Sequence, residues 1–326
     1  MNPPLFERWR ADALISDDSF DRLQAAEKNR LFSLHWELRS LLYLGVLLVS
    51  GGLGILIYKN IDSIGHTAVL CFIAAISMAG FVYCFKKAAP WSTAKVEAPN
   101  PYFDYVLLLA CLAMVSFAGY LQYQYHVFGE RYGLATFIPM LLLFAAAYYF
   151  DHLGILSMAI TALCAWAGIS VTPMRILQDN DFGNTNLIIA GIVTALGLLA
   201  AAALSRFRSV KAHFWFTYTN FGMHLLFISV LAGSFVFEST YFLWFLALTG
   251  IAYYFFTIAN KHHSFYILLV LTIYFYIGLS ATMLRLLFDL LQTGDGSIYL
   301  AFLYFIGSAV ALVLFLIKMN KKLKSA

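Results

Sequence analysis

Charge is what this sequence has least of. Only 12% of its 326 residues are Asp, Glu, Lys or Arg, while 62% are hydrophobic, which leaves too little polar surface to cover a soluble globule of this length. Most of the chain is therefore expected to meet lipid. Every charged residue lies in a tail, a loop or the last turns of an apolar run, and none falls near the middle of one. A charge at the centre of a membrane helix costs about 2.5–3.5 kcal/mol on insertion scales, and chains that keep one there commonly use it for ions or protons. The absence argues against a proton- or sodium-coupled transporter of the common kind.

Other absences narrow the class further. The four cysteines, Cys71, Cys84, Cys111 and Cys164, form no CxxC pair and no Cys/His cluster, so buried free thiols are expected. No HExxH, no Gly-x-Ser-x-Gly elbow, no phosphate-binding Gly-x-x-x-x-Gly-Lys and no pair of carboxylates within a span can be found. An enzyme is thus the less favoured reading, and neither a cofactor nor a metal is implied. The formal charge of +4 comes from basic residues scattered between apolar runs, which assembles no face for nucleic acid. Nor is there an apolar core near residue ten, so the first long run, from Leu41, is expected to be an uncleaved anchor.

What remains is a series of apolar runs. Crossing a bilayer takes about 20 mostly apolar residues, and a helix satisfies the backbone there without outside partners. Ten segments qualify: Leu41–Tyr58, Thr67–Phe85, Tyr105–Tyr125, Gly133–Phe150, Leu153–Val171, Leu187–Leu204, Phe214–Phe237, Tyr241–Ala259, Phe265–Leu286 and Ile298–Lys318. The connections at Asp151–His152 and Glu238–Thr240 are so short that each could be a kink instead of a turn. With the amino terminus inside, 17 of the 21 Lys and Arg fall on the cytoplasmic side, as the positive-inside rule requires. The expected fold is an all-α polytopic transmembrane bundle of about ten helices, with both termini cytoplasmic.

Ahead of the bundle, Leu5, Phe6, Trp9 and Ala13 give one side of a short amphipathic helix, and Ser16 with Asp17 and Asp18 marks the start of a second. The domains read as a helical head over residues 1–38, the bundle over 39–319 and a basic tail over 320–326. Tyrosines at run ends, among them Tyr58, Tyr83, Tyr105 and Tyr266, suit interfacial anchors.

Polar side chains gather at the end opposite to most of the lysines. Gly119, Gln122, His126 and Glu130 share a helical stripe, with Gln124 and Tyr125 beside it. Arg285 and Asp289 stand four apart, as do His126 and Glu130, so each pair can meet on its helix. Within the seventh span Asn220 and His224 form an intramembrane polar pair, read either as interhelical glue or as a substrate or proton-relay site.

The head with Trp9 and Ala13-Leu14-Ile15-Ser16, the first span with Leu44-Gly45-Val46 and Gly51-Gly52-Leu53-Gly54 leading to Asn60, and the Gly119 to Gly133 segment together resemble a known family. It is the bacterial predicted-membrane-protein family classed as a domain of unknown function. The resemblance implies a short cytoplasmic helical head followed by many spans, and lends no activity.

Two functions follow as expectations. One is binding or passage of a small or lipid-like ligand through an outward-facing polar vestibule at Gln122, Gln124, Tyr125, His126, Glu130, Arg285 and Asp289. The other is a non-catalytic scaffold whose head, residues 1–38, recruits a cytoplasmic or envelope protein. Membrane lipid is a partner on either reading.

Overall fold

The computed structural model describes residues 12, 14–17, 19–21, 35–59, 65–129, 132–171, 184–291 and 295–325. Each expected span is a helix there: α1 (His35–Lys59), α2 (His66–Lys87), α3 (Pro101–Tyr125), α4 (Tyr132–Phe150), α5 (Leu153–Val171), α6 (Thr185–Phe207), α7 (Trp215–Val236), α8 (Tyr241–Lys261), α9 (Phe265–Leu291) and α10 (Asp295–Ser325). No strand occurs among the described residues. Nine of these helices are long and apolar enough to cross a membrane, and in α1 the apolar part is the shorter stretch Ser40–Leu56. The chain is a multi-pass membrane protein.

Residues 1–56 and 57–326 form two separate units. In the first, Ser16 caps its helix as its residue type suggests: its hydroxyl accepts from Ser19 N at 3.3 Å, and its carbonyl accepts from Phe20 N at 2.9 Å. The rest of the amphipathic head, and with it the surface expected to recruit a partner, lies largely outside the described residues.

Both doubtful connections in the second unit are true turns. Asp151 takes a left-handed backbone (φ 58°), and His152 N bonds back to Ala147 O at 3.1 Å, which ends α4. Its neighbour α5 then packs along it. Between α7 and α8 the chain makes one 3₁₀ turn, Glu238–Thr240. Two helix starts are fixed by side chains: the Asn100 amide oxygen accepts from Tyr102 N and Phe103 N at 3.1 and 2.9 Å, and that of Asn184 from Asn186 N at 2.8 Å. Pro101 sits at the first helical position, where its missing N–H costs nothing.

Two cores hold the second unit together. One joins α2 to α7 through Cys84, Leu107, Cys111, Leu143, Ile155 and Phe214; the other joins α6 to α10 through Met223, Phe227, Leu248, Phe255, Leu268 and Met319. In lipid there is no hydrophobic drive between helices, so shape does the work. At Gly80 a Cβ would stand 2.7 Å from Ala110 Cβ, so only glycine lets α2 and α3 come this close. Of the four free thiols, Cys84 and Cys111 are buried, Cys164 is partly so and Cys71 faces outward, which corrects the expectation of four buried thiols. Both α6 and α7 contribute to both cores, and α7 is half buried over its apolar window, whereas the window of α10 has no buried residue.

Candidate functional site

At the Gln122 end the expected stripe is interrupted. His126 adopts a left-handed backbone (φ 48°) and closes α3, so it cannot continue a helical face toward position 130. Glu130 itself lies outside the described residues. Gln122 is buried and spends its amide on the turn that follows: Nε2 donates to Gly129 O at 2.9 Å, and Oε1 accepts from Phe128 N at 3.0 Å. Tyr125 meets the Thr67 hydroxyl at 2.8 Å, and His66 Nδ1 lies 2.6 Å from the Tyr120 hydroxyl, so this end of α2 is tied to α3. Gln124 is half-buried and His126 is exposed. Among the described residues no group of three metal-ligating side chains comes together.

Arg285 and Asp289 share α9 as expected, with Asp289 exposed. The guanidinium donates to Ser234 O at 2.6 Å and lies over the rings of Tyr241 (5.4 Å) and Phe235 (5.8 Å). It thereby closes the carbonyl end of α7, where the helix dipole favours a cation. Among the described residues no hydrogen bond or ion pair joins these two residues to Gln122, Gln124 or His126.

The intramembrane pair is half of a larger arrangement. Tyr266 donates to Asn220 Oδ1 at 2.8 Å and also meets His224 Nε2 at 3.1 Å, while His224 Nδ1 lies 2.9 Å from the Tyr274 hydroxyl. A phenol has one proton, and Tyr266 gives it to Asn220; His224 Nε2 must then carry the hydrogen, leaving Nδ1 to accept from Tyr274. The chain Tyr274, His224, Tyr266, Asn220 thus runs in one direction through a neutral imidazole. It bridges α7 and α9 and is partly open to the bundle surface at Tyr266. Sequence reading found the pair by its spacing and assigned Tyr266 to an interfacial belt instead.

At the other end lies a cluster that sequence reading missed. Asp151 and Lys211 have fully buried side chains, with Lys211 Nζ 3.0 Å from Asp151 Oδ2. His213 Nε2 stands 2.6 Å from Oδ1 of the same carboxylate, and Val96 N donates to it as well. Lys211 also donates from Nζ to Ala94 O (3.2 Å) and from its backbone N to Thr93 O (2.7 Å). Three connections are joined here: the irregular 88–100 loop, the α4–α5 turn and the α6–α7 loop. Beside them His152 Nε2 lies 3.8 Å from Asp104 Oδ1. Nothing local announces this cluster except one acid in a two-residue turn between spans.

The same end carries an aromatic and basic group. An Arg206 Nη1 lies 3.1 Å from His262 Nε2, and the guanidinium lies 5.5 Å above Trp215, whose ring centre is 4.6 Å from that of His262. Burial, and then the positive charges of Arg206 and Lys261, hold the His262 pKa below its ordinary value. A depressed folded-state value means the unfolded chain takes up the proton first, so this contribution to stability is present above about pH 6.5 and is lost as pH falls through the depressed value. Thermal unfolding in detergent at pH 7.5 and pH 5 should therefore show a drop for the native chain that His262→Gln reduces.

A groove of about 670 Å³ opens on the side of the bundle between α2, α3 and α4. Its walls are apolar, from Ala74, Met78, Met114 and Leu142 to an aromatic end where the ring of Tyr149 packs on Phe85 (5.4 Å) and Phe150 (4.9 Å). Ser77 also lines it, but its hydroxyl is committed to Ala110 O at 3.0 Å. Such a volume lies within the range of small-molecule sites, and its nearly unbroken apolar lining suits hydrocarbon.

No curated protein and no solved structure matches the chain. A family model matches residues 7–156, a stretch that holds α1 to α4, all of the groove and the Asp151 turn. Over that stretch the chain is similar to the membrane domain of unknown function described as Predicted membrane protein (DUF2157).

Proposed function

We propose that this protein binds a lipid-like ligand whose hydrocarbon lies in the groove between α2, α3 and α4. The observation that carries the reading is the groove itself, about 670 Å³ of apolar-walled space open sideways to the bilayer. At its aromatic end the Tyr149 side chain is exposed, so its hydroxyl can meet the polar end of the ligand. The Gln122 end supports a ligand site less well, because the Gln122 amide is already spent on its own turn.

The test is photolabelling of the purified chain, in bilayers, with a phospholipid carrying a diazirine in its acyl chain. Crosslinks should concentrate on residues 74–85 and 142–150. Ala145→Trp, which fills the groove from its exposed rim, should cut them about fivefold or more while the melting temperature stays within a few degrees. Labelling spread evenly over all outward-facing helices, or unchanged in a folded Ala145→Trp chain, would show that the groove is ordinary lipid-facing surface.

A further inference from the structure

The Arg206 group calls for a partner that the described residues do not supply. Arg206, Arg208 and Lys261 are exposed, and among the described residues no carboxylate pairs with any of them. Arg206 instead directs an N–H at a neutral imidazole, since His262 Nε2 must offer its lone pair to receive it. An arginine fork prefers a planar or tetrahedral oxyanion. Phe207, between the two arginines, is 85% exposed, which places this group where aromatic side chains enter the membrane surface.

Beneath the cations the structure repeats the order of groups in a phospholipid. Phe216, next to Trp215 on α7, has its ring 6.1 Å from that of Tyr266, and the Asn220 amide follows about one turn farther along the helix. Tyr266 occupies the Asn220 oxygen, which leaves the amide N–H groups on this partly exposed face to meet ester carbonyls. Farther in, His224 and Tyr274 spend their polar atoms on each other and on Tyr266.

We propose that Arg206, Lys261 and His262, with Trp215 beside them and Asn220 below, form a binding site for the headgroup of an anionic phospholipid. Basic groups between membrane helices recognise such headgroups, each cation near the surface contributing about 1 kcal/mol, or about fivefold. A zwitterionic lipid gains less. Among the described residues no carboxylate pairs with the cations of this group or offers itself to the ammonium, and Arg206 and His262 already lie against the Trp215 ring where a choline would stack. The site shares no residue with the groove, so each can fail without the other.

The experiment is lipid titration of the delipidated full chain, read by native mass spectrometry, with phosphatidylglycerol and phosphatidylcholine in parallel and glycerol 3-phosphate as competitor. Phosphatidylglycerol should bind at least tenfold more tightly than phosphatidylcholine. Arg206→Gln should weaken it about fivefold and leave phosphatidylcholine unchanged, Arg206→Lys should restore most of the loss, and Asn220→Leu should weaken both lipids alike. Equal binding of the two lipids overturns the proposal. So does an Arg206→Gln chain with native preference, and so does glycerol 3-phosphate competing at the lipid's own concentration, which would assign the site to a soluble phosphate compound.

Discussion

Asp151→Ala should lower the unfolding free energy by about 3–5 kcal/mol, because it strands the buried Lys211 ammonium without its counter-charge. Lys211→Met should cost less, because the Asp151 carboxylate keeps His213 and Val96 N as partners. Both side chains are completely buried and 3.0 Å apart, so water cannot take over the orphaned charge in either single variant. Desolvating two ions cancels much of their attraction, so the pair as a whole stabilises far less than its halves cost separately. The double variant Asp151→Ala with Lys211→Met should consequently lose much less stability than the sum of the two single losses. Denaturant unfolding in mixed micelles measures all the variants, and simple additivity would show that these two charges do not sense each other.

Phe227→Ala should cost about 3–5 kcal/mol, the range for truncating a fully packed aromatic. Phe227 has no exposed surface, lies 5.8 Å from Phe255 and stacks on Tyr274 at 5.1 Å with the rings 8° apart. Its loss reaches beyond packing. Tyr274 is held against His224 by that stack, so its hydroxyl should lose its fixed direction and the polar chain through Tyr266 should loosen with it. Thermal unfolding gives the first effect, and faster amide exchange in α9 around Tyr274 gives the second. Phe227→Leu should recover much of the stability without restoring the flat contact, which separates the two effects.

The helices were legible in the sequence because each is an apolar run interrupted by polar residues, and hydropathy registers that without any partner. Leu153–Val171 agrees at both ends, and the other boundaries agree or move by up to seven residues, as polar ends such as Lys86, Lys87 and Arg206 join the last turns. Spacing also brought out Asn220 and His224, since i and i+4 share a helix face whatever lies opposite. Their partners were hidden. A tyrosine at a run end looks the same whether it floats in the interface or, like Tyr266, bonds two residues 46 and 42 positions away. Burial of the loop charges was equally unreadable. Thr93, Asp151 and Lys211 meet only after three separate connections fold over one another, and no local pattern encodes that. The His126 stripe failed for a smaller reason: periodicity says which residues would align if a helix continued, and here the chain turns at His126.

The cluster around Asp151 also bears on how the molecule can move. With the connections after α2, α4 and α6 clamped to one another, those helices have a common pivot at that end. Tilting about it leaves the pivot still and gives the far tips the longest arc, as the jaws of a peg swing about its spring. Any widening between these helices should therefore begin near Thr67, Gly133 and Thr185, and any guest admitted by such a swing would come from that side.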